Sequence, residues 1–453
     1  MTKKIVLVGC LALMLSGCRK QSVPVCDIKI DGNCGEEQNA ERLPVILGGV
    51  EPAFGDALVA LWNETYPDKA GLLEVQFGST VQTAIDGNYD IVLTYEELAG
   101  LNQTELIQLD QLFMQSMYAG NRAQADVLAP IQPYFVPVAY EGIAFFYNET
   151  MLNSIGIDTN TDENEDGMPD AFDSWEKLFA LADAWDAKRP IYRKKPVQIV
   201  FPFSLAEAYM SYFMFTSQEF RLFPDHLGLD PGFSKDTFGA ALRFITEASK
   251  HHMAVQANLS PYQAKDYVWQ WEKVYTQQIA PFGLAAPWMD LQGAAKANKV
   301  TYRIAPYFPT FQGSNMVPFK TMLGFVARQT GKDQVLVQEV MAFLQSEDAM
   351  QLVVDTTTMI PYLYDDQVLE FQEDINRKHW QQALAIADSQ PLIALPNNFY
   401  KKALDGYYEI NVMEVIQRLW DGKLTIREAQ AELDFLYRTW LFKNTSVNIG
   451  PKK

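Results

Sequence analysis

The chain has 453 residues, 48% of them hydrophobic and 13% aromatic. That is more than one hydrophobic core usually organises, so two or more packing units are expected, and a collagen, a coiled coil or a wholly disordered chain is excluded. Lys plus Arg number 37 against 56 Asp plus Glu, and the formal net charge of -19 would repel nucleic-acid phosphate on every approach, which excludes nucleic-acid binding.

Lys3 and Lys4 precede an apolar run from Ile5 to Leu15. The run is too short to cross a bilayer as a helix, which takes about 20 residues, and fits the hydrophobic region of a secretory signal peptide. It ends in Leu15-Ser16-Gly17-Cys18, which resembles the bacterial lipobox. Residues 1-17 are therefore expected to be removed as a lipoprotein signal peptide, and Cys18 to be lipidated, anchoring an extracytoplasmic body to the cell membrane. Residues 18-42 read as a polar tether. Cys26 and Cys34 flank Asp31-Gly32-Asn33, and both a local disulfide and a pair of free thiols fit that spacing. The four His, at 226, 251, 252 and 379, form no HExxH pair, and no Cys and His run has zinc spacing.

Leu43 to Gly49 reads as a first strand. The spacing of Phe54, Leu58, Leu61, Trp62 and Tyr66 predicts a helix over 51-66. Further strands follow at 73-77 and 89-93, and this alternation predicts an α/β fold with a mostly parallel sheet. Helical periodicity recurs at 174-187, 205-217, 236-251, 334-345 and 409-420, with sparser strands at 198-201, 279-282 and 302-306. The basic cluster of Lys188, Arg189, Arg193, Lys194 and Lys195, interrupted by Pro190 and Pro196, reads as a solvated loop.

Residues 162-173 place oxygen-bearing side chains at loop positions 1, 3, 5, 9 and 12 with Gly167 at position 6, the ligand order of an EF-hand-like calcium loop. Asp162, Asn164, Asp166, Asp170 and Asp173, with the Met168 carbonyl, are the expected ligands of a structural calcium ion. Asp173 replaces the usual bidentate Glu, and it also stands where it caps the helix from Ser174.

No GxxxxGK[ST] phosphate loop, GxGxxG turn or GxSxG nucleophile elbow occurs, and acidic pairs such as Glu96-Glu97 arise by chance among 56 acids. The chain is not expected to be an enzyme.

Several stretches in one order resemble the extracellular solute-binding proteins of bacterial ABC importers, of the maltose/maltodextrin-binding type. Phe135-Val-Pro-Val-Ala-Tyr-Glu-Gly-Ile-Ala-Phe-Phe-Tyr-Asn-Glu-Thr-Met-Leu resembles the family's first interdomain crossing. Asp173-Ser-Trp-Glu-Lys-Leu, Ala286-Pro-Trp-Met and Tyr302-Arg-Ile-Ala-Pro-Tyr-Phe-Pro-Thr resemble its next helix start, its Gly-Pro-Trp and its return crossing. Gly324 to Val354 resembles its second N-domain segment.

The resemblance, over roughly 43-435, implies a two-lobed periplasmic-binding-protein-like type II fold with hinge-connected, discontinuous lobes. The implied N-terminal lobe is 43-139 and 308-355, and the C-terminal lobe 140-307 and 356-453. It further implies a monomer that binds an oligosaccharide between the lobes and delivers it to the transmembrane permease subunits of an ABC importer. Trp288 matches the family's stacking Trp, Tyr209 the Tyr of a Glu-Pro-Tyr motif with Ala208 in place of proline, and Glu141 a carboxylate that accepts sugar hydroxyls. Glu97 matches an acid after the third strand, and Tyr407 or Tyr408 stands near a stacking Trp that is missing here. Thr94 and Leu98 replace two further motif residues, which leaves another glycan or solute open in place of maltodextrin. The alternatives are a surface-anchored glycosidase using Glu141 and a second acid, and an adhesin or structural lipoprotein.

Overall fold

The first strand, β1 (Val45–Gly48), is buried along nearly its whole length, as a strand covered on both faces is. The computed structural model describes residues 43-109, 131-202, 211-220, 222-223, 229-251, 271-286, 289-318, 320-331, 333-361 and 403-444. After β1 comes α1 (Pro52–Thr65), which starts with a proline, where a missing N–H costs nothing, and buries Phe54, Leu58 and Trp62. β2 (Leu73–Val75), β3 (Ile91–Tyr95) and the short α2 (Glu96–Leu101) follow. Beyond β4 (Val136–Gly142) and β5 (Ala144–Asn148) lies α3 (Glu149–Ser154), capped by the Asn148 side chain, which accepts from Met151 N at 2.9 Å.

α4 (Trp175–Ala187) then leads to a hairpin of β6 (Ile191–Tyr192) and β7 (Lys195–Pro196). α5 (Asp236–Ala241), α6 (Arg243–Ala248), α7 (Trp271–Thr276), β8 (Phe282–Ala285), α8 (Leu291–Asn298) and β9 (Tyr302–Ile304) come next. The chain continues through β10 (Lys320–Ala327), α9 (Gln334–Phe343), α10 (Glu347–Thr356) and β11 (Ile360–Pro361). It ends in α11 (Ala403–Glu409), α12 (Val412–Trp420) and α13 (Ile426–Asn444).

Six strands form one sheet in the order β11-β4-β10-β3-β1-β2. β1 pairs in parallel with β2 and β3. β10 lies between β3 and β4 and is antiparallel to both, with Leu323 opposite Tyr95 on one side and Ala139 on the other. The α/β class is as expected, but the sheet is mixed rather than mostly parallel, because its central strand comes from a later part of the chain. Ile143 alone separates β4 from β5, the middle strand of a three-stranded antiparallel sheet, β8-β5-β9.

Two hydrophobic cores form, one on each sheet. The first gathers Trp62, Phe135, Leu323 and Met341, and takes in α9, α10 and Ile360. The second gathers Phe145, Trp175, Phe213 and Phe244 with Tyr407 and Tyr437 of the C-terminal helices, and takes in Phe308, Phe311 and Met316. At its centre Trp175 stacks on Phe213 at 5.7 Å and meets Phe244 edge-on at 5.0 Å. No described helix is long and apolar enough to cross a membrane.

Several expected elements differ. In the described part of the 205-217 helix the chain makes the short 3-10 segments Tyr212–Phe215 and Ser217–Glu219. Gln218 and Glu219 take left-handed φ of 63° and 60°, which a right-handed helix cannot carry. Leu242 divides the 236-251 helix, and left-handed Asn411 separates α11 from α12. Residues 198-201 form no strand, although Ile199, Val200 and Phe201 are buried; a short apolar run fits a core position as well as a ladder. β8 begins only after Pro281, which has no N–H for a ladder.

The basic stretch is a hairpin rather than a loop. Arg193 and Lys194 occupy its turn with φ of 48° and 67°, the two left-handed positions of a type I′ connection. Arg193 Nη2 donates to the carbonyl oxygens of Asn298 at 2.8 Å and Lys299 at 3.3 Å, and its guanidinium lies over the Tyr192 ring.

Candidate functional site

β1, β2 and β3 are parallel, and β4 runs in the same direction because β10 is antiparallel to both β3 and β4. Their carboxyl ends therefore share one edge of the six-stranded sheet, the edge at which open α/β sheets present ligand sites. Gly49, the segment 76-83, Glu96 and Glu97, and Glu141 and Gly142 all fall there, with the start of β10. Thr321 is in register with Glu141 and Met322 with Tyr140.

Side chains stitch this edge together. Gly49 N donates to Ser79 Oγ at 3.2 Å, Thr94 Oγ1 to the Val81 carbonyl at 3.0 Å, and Gln82 Nε2 to Tyr95 OH at 3.4 Å. Met322 N donates to Glu96 Oε2 at 2.9 Å, and Glu96 is fully buried. Gly49 has φ 81°, and a Cβ there would lie 2.4 Å from the Leu93 carbonyl oxygen. Only glycine turns the chain from β1 toward α1 at that point.

Of the expected ligand-binding residues, Glu97 lies in the first turn of α2 and Glu141 near the end of β4. Their backbones come to the same edge. Tyr209 and Trp288 lie outside the described residues, as does the expected lipidation site Cys18. The end of β8 at Ala285 pairs with Ala144 at the start of β5, so this end of the second sheet adjoins the Ile143 crossing. Tyr407 is 1% exposed, inside the second core, whereas its neighbour Tyr408 is 39% exposed; of the two, only Tyr408 offers a ring surface. Phe77, Ser79, Gln82 and Tyr95 were not anticipated at the edge. Phe77 read as the last residue of the second strand, but β2 stops at Val75, which places Phe77 in the following loop.

The acidic loop at 162-173 is organised around its own amides. Asp162 accepts from Asp166 N at 3.1 Å and Gly167 N at 2.8 Å, Asn164 accepts from Asp166 N at 3.3 Å, and Asp166 accepts from Met168 N at 2.8 Å. Glu163 N donates to Asp170 Oδ2 at 3.1 Å. Asp173 is held in an ion pair with Lys177 at 2.7 Å, and Met168 is buried in the second core. Among the described residues, no three His, Cys, Asp or Glu side chains are gathered as a metal site. The alternate placement of Asp162, Asn164 and Asp166 about Gly167 at φ 85° retains the turn that a calcium loop needs.

This loop braces the connection from β9 back toward β10. Tyr307 OH donates to Asp166 Oδ2, Thr310 N donates to the Asp173 carbonyl at 2.9 Å, and Trp175 N donates to the Thr310 carbonyl at 2.8 Å. Burial, and then the bond to Asp166, push the Tyr307 hydroxyl above its ordinary pKa.

The fold defines an α/β protein built on a mixed sheet. No protein-family model matches the chain, and no curated protein matches its sequence.

Proposed function

We propose that this chain is an extracytoplasmic solute-binding protein that holds an oligosaccharide between two lobes of a type II fold and delivers it to the transmembrane subunits of an ABC importer. The observation that carries the reading is the insertion of β10 between β3 and β4 after the chain has built a second sheet, and the return of the C-terminal helices to the core on that second sheet. Such a chain passes three times between its two cores, at Ile143, between Met316 and Met322, and between Ile360 and Tyr407, and hinged halves are joined by crossings of this kind. The carboxyl edge of the first sheet is the binding edge, with Glu97 and Glu141 as acceptors for sugar hydroxyls and Trp288, Tyr209 and Tyr408 as stacking rings. Cys18 carries the lipid that anchors the protein outside the membrane. The loop at Asp162, Asn164, Asp166 and Asp170 takes a structural calcium ion, and no bond-breaking chemistry is assigned to the chain.

Thermal shift across a panel of oligosaccharides, read alongside product analysis of the same mixtures, tests the reading. Stabilisation by at least one glycan without product is the expected result. Turnover, or a flat response to every glycan, overturns it.

A further inference from the structure

We infer that Phe77 is a stacking plate at one end of the carboxyl edge, and that the ligand is an extended oligosaccharide whose terminal pyranose lies on its ring. This rests on the sugar-binding reading above. Phe77 is 42% exposed on a sheet edge whose neighbouring apolar side chains are buried, including Val50 at 4% and Phe54 at 1%. An exposed large aromatic in a loop is more informative than an exposed small one, because its burial elsewhere is worth so much.

The ring is not loose. A Cβ at Gly55 of α1 would lie 2.9 Å from Phe77 Cε1 and 2.9 Å from Val75 Cγ1. The ring therefore rests against bare glycine backbone on one side and stays 42% exposed. A fixed, partly exposed apolar plate matches the C–H face of a pyranose.

Position supplies the ligand's length. Phe77 follows β2 at one end of the strand order, and Glu141 lies on β4, four strands away. At the usual strand spacing that separation is about 19 Å, a row that several sugar rings fill and a single one does not. A monosaccharide held near Glu141 would not reach Phe77.

The test is calorimetric titration of the full chain with maltotriose, cellotriose, xylotriose and glucose, comparing the native protein with Phe77→Ala and Phe77→Trp. For a trisaccharide that the native protein binds, Phe77→Ala is expected to weaken affinity by about tenfold. Phe77→Trp is expected to retain affinity, and its added indole emission to shift to shorter wavelength at saturation. Glucose affinity should not change in either variant. Native-like trisaccharide affinity in Phe77→Ala, or an unresponsive added emission in Phe77→Trp, overturns the assignment while leaving the sugar reading intact. Should Phe77→Ala prove unfolded, the Phe77→Trp emission decides alone. If the native chain binds none of the four sugars, the sugar reading falls and this assignment falls with it.

Discussion

The buried carboxylate of Glu96 accepts a hydrogen bond from the main-chain N–H of Met322 at 2.9 Å, joining the end of β3 to the inserted strand β10. A buried amide that loses its acceptor costs more than the net worth of the bond, because the donor is left desolvated. Glu96→Ala leaves that amide without this partner, and a loss of about 2 kcal/mol in denaturant unfolding is expected. Glu96→Gln keeps a carbonyl acceptor and should lose less. Equal losses in the two variants would show that the contribution comes from packing rather than from the bond.

The hairpin turn predicts opposite effects from adjacent residues. Lys194 holds φ 67°, a conformation that costs a side-chain-bearing residue about 1 kcal/mol, so Lys194→Gly should raise the melting temperature. Arg193 spends the same conformational cost but donates to the last carbonyls of α8. Arg193→Ala should therefore lower the melting temperature through loss of that cap. Differential scanning calorimetry of the two variants reads both signs.

Acid should loosen the start of α13. Thr425 N and Thr425 Oγ1 both donate to Glu428 Oε2 at 2.8 Å, and Glu428 N donates back to Thr425 Oγ1 at 3.3 Å, a reciprocal capping box. The Thr425 amide, and then its hydroxyl, hold the Glu428 carboxyl below its ordinary value of 4.5. A depressed folded-state pKa gives stability that is present above 4.5 and lost as pH falls through the lower folded value. The native protein should melt above Glu428→Gln at neutral pH, and the gap should close in acid.

The alkaline limb has the reverse sign. Burial, and then the nearby Glu149 carboxylate, raise the Tyr147 hydroxyl from 10.0 to about 12. Burial also raises Tyr302. A raised group gives stability that is complete below 10.0 and is lost as pH climbs toward the folded value of about 12. Tyr147→Phe should flatten the fall in melting temperature across that interval, measured by circular dichroism.

Calcium should raise the melting temperature and EDTA should lower it, since an ion bound only by the native loop stabilises by mass action. Asp162→Asn, which leaves the loop's acceptor geometry in place but removes a charge, should weaken the calcium response. Superimposable melting curves with calcium and with EDTA would remove the ion from this loop.

The stretch from 43 to about 95 was legible because its signals agree. Phe54, Leu58 and Trp62 repeat at helical spacing, and the strands on either side are short apolar runs closed by glycine or polar turns. The backbones of Glu97 and Glu141 reach one edge because the first stands just past β3 and the second near the end of β4. Phe77 was hidden by the opposite circumstance, since a Phe just past a strand looks like part of it until the ladder is seen to stop. α13 went unread because exposed Phe435 and Phe442, at 68% and 67%, blur the apolar stripe formed by Leu433, Tyr437 and Trp440. Tyr407 and Tyr408 stayed ambiguous because adjacent residues of a helix point about 100° apart, and sequence alone did not say which was turned inward.

The insertion of β10 also orders events in time. Glu96 and Met322 are 226 positions apart, and β10 supplies the centre of its sheet, so β3 and β4 have no shared partner until that late segment is available. A chain made or exported from its N-terminus must keep Trp62, Phe135 and their neighbours exposed while the second core, largely built from 143-316, assembles. Contacts at such separation fold slowly, and open strand edges invite mispairing in the meantime. Refolding from denaturant should therefore be slow and concentration-sensitive, with the second core gaining protection from hydrogen exchange before the six-stranded sheet does.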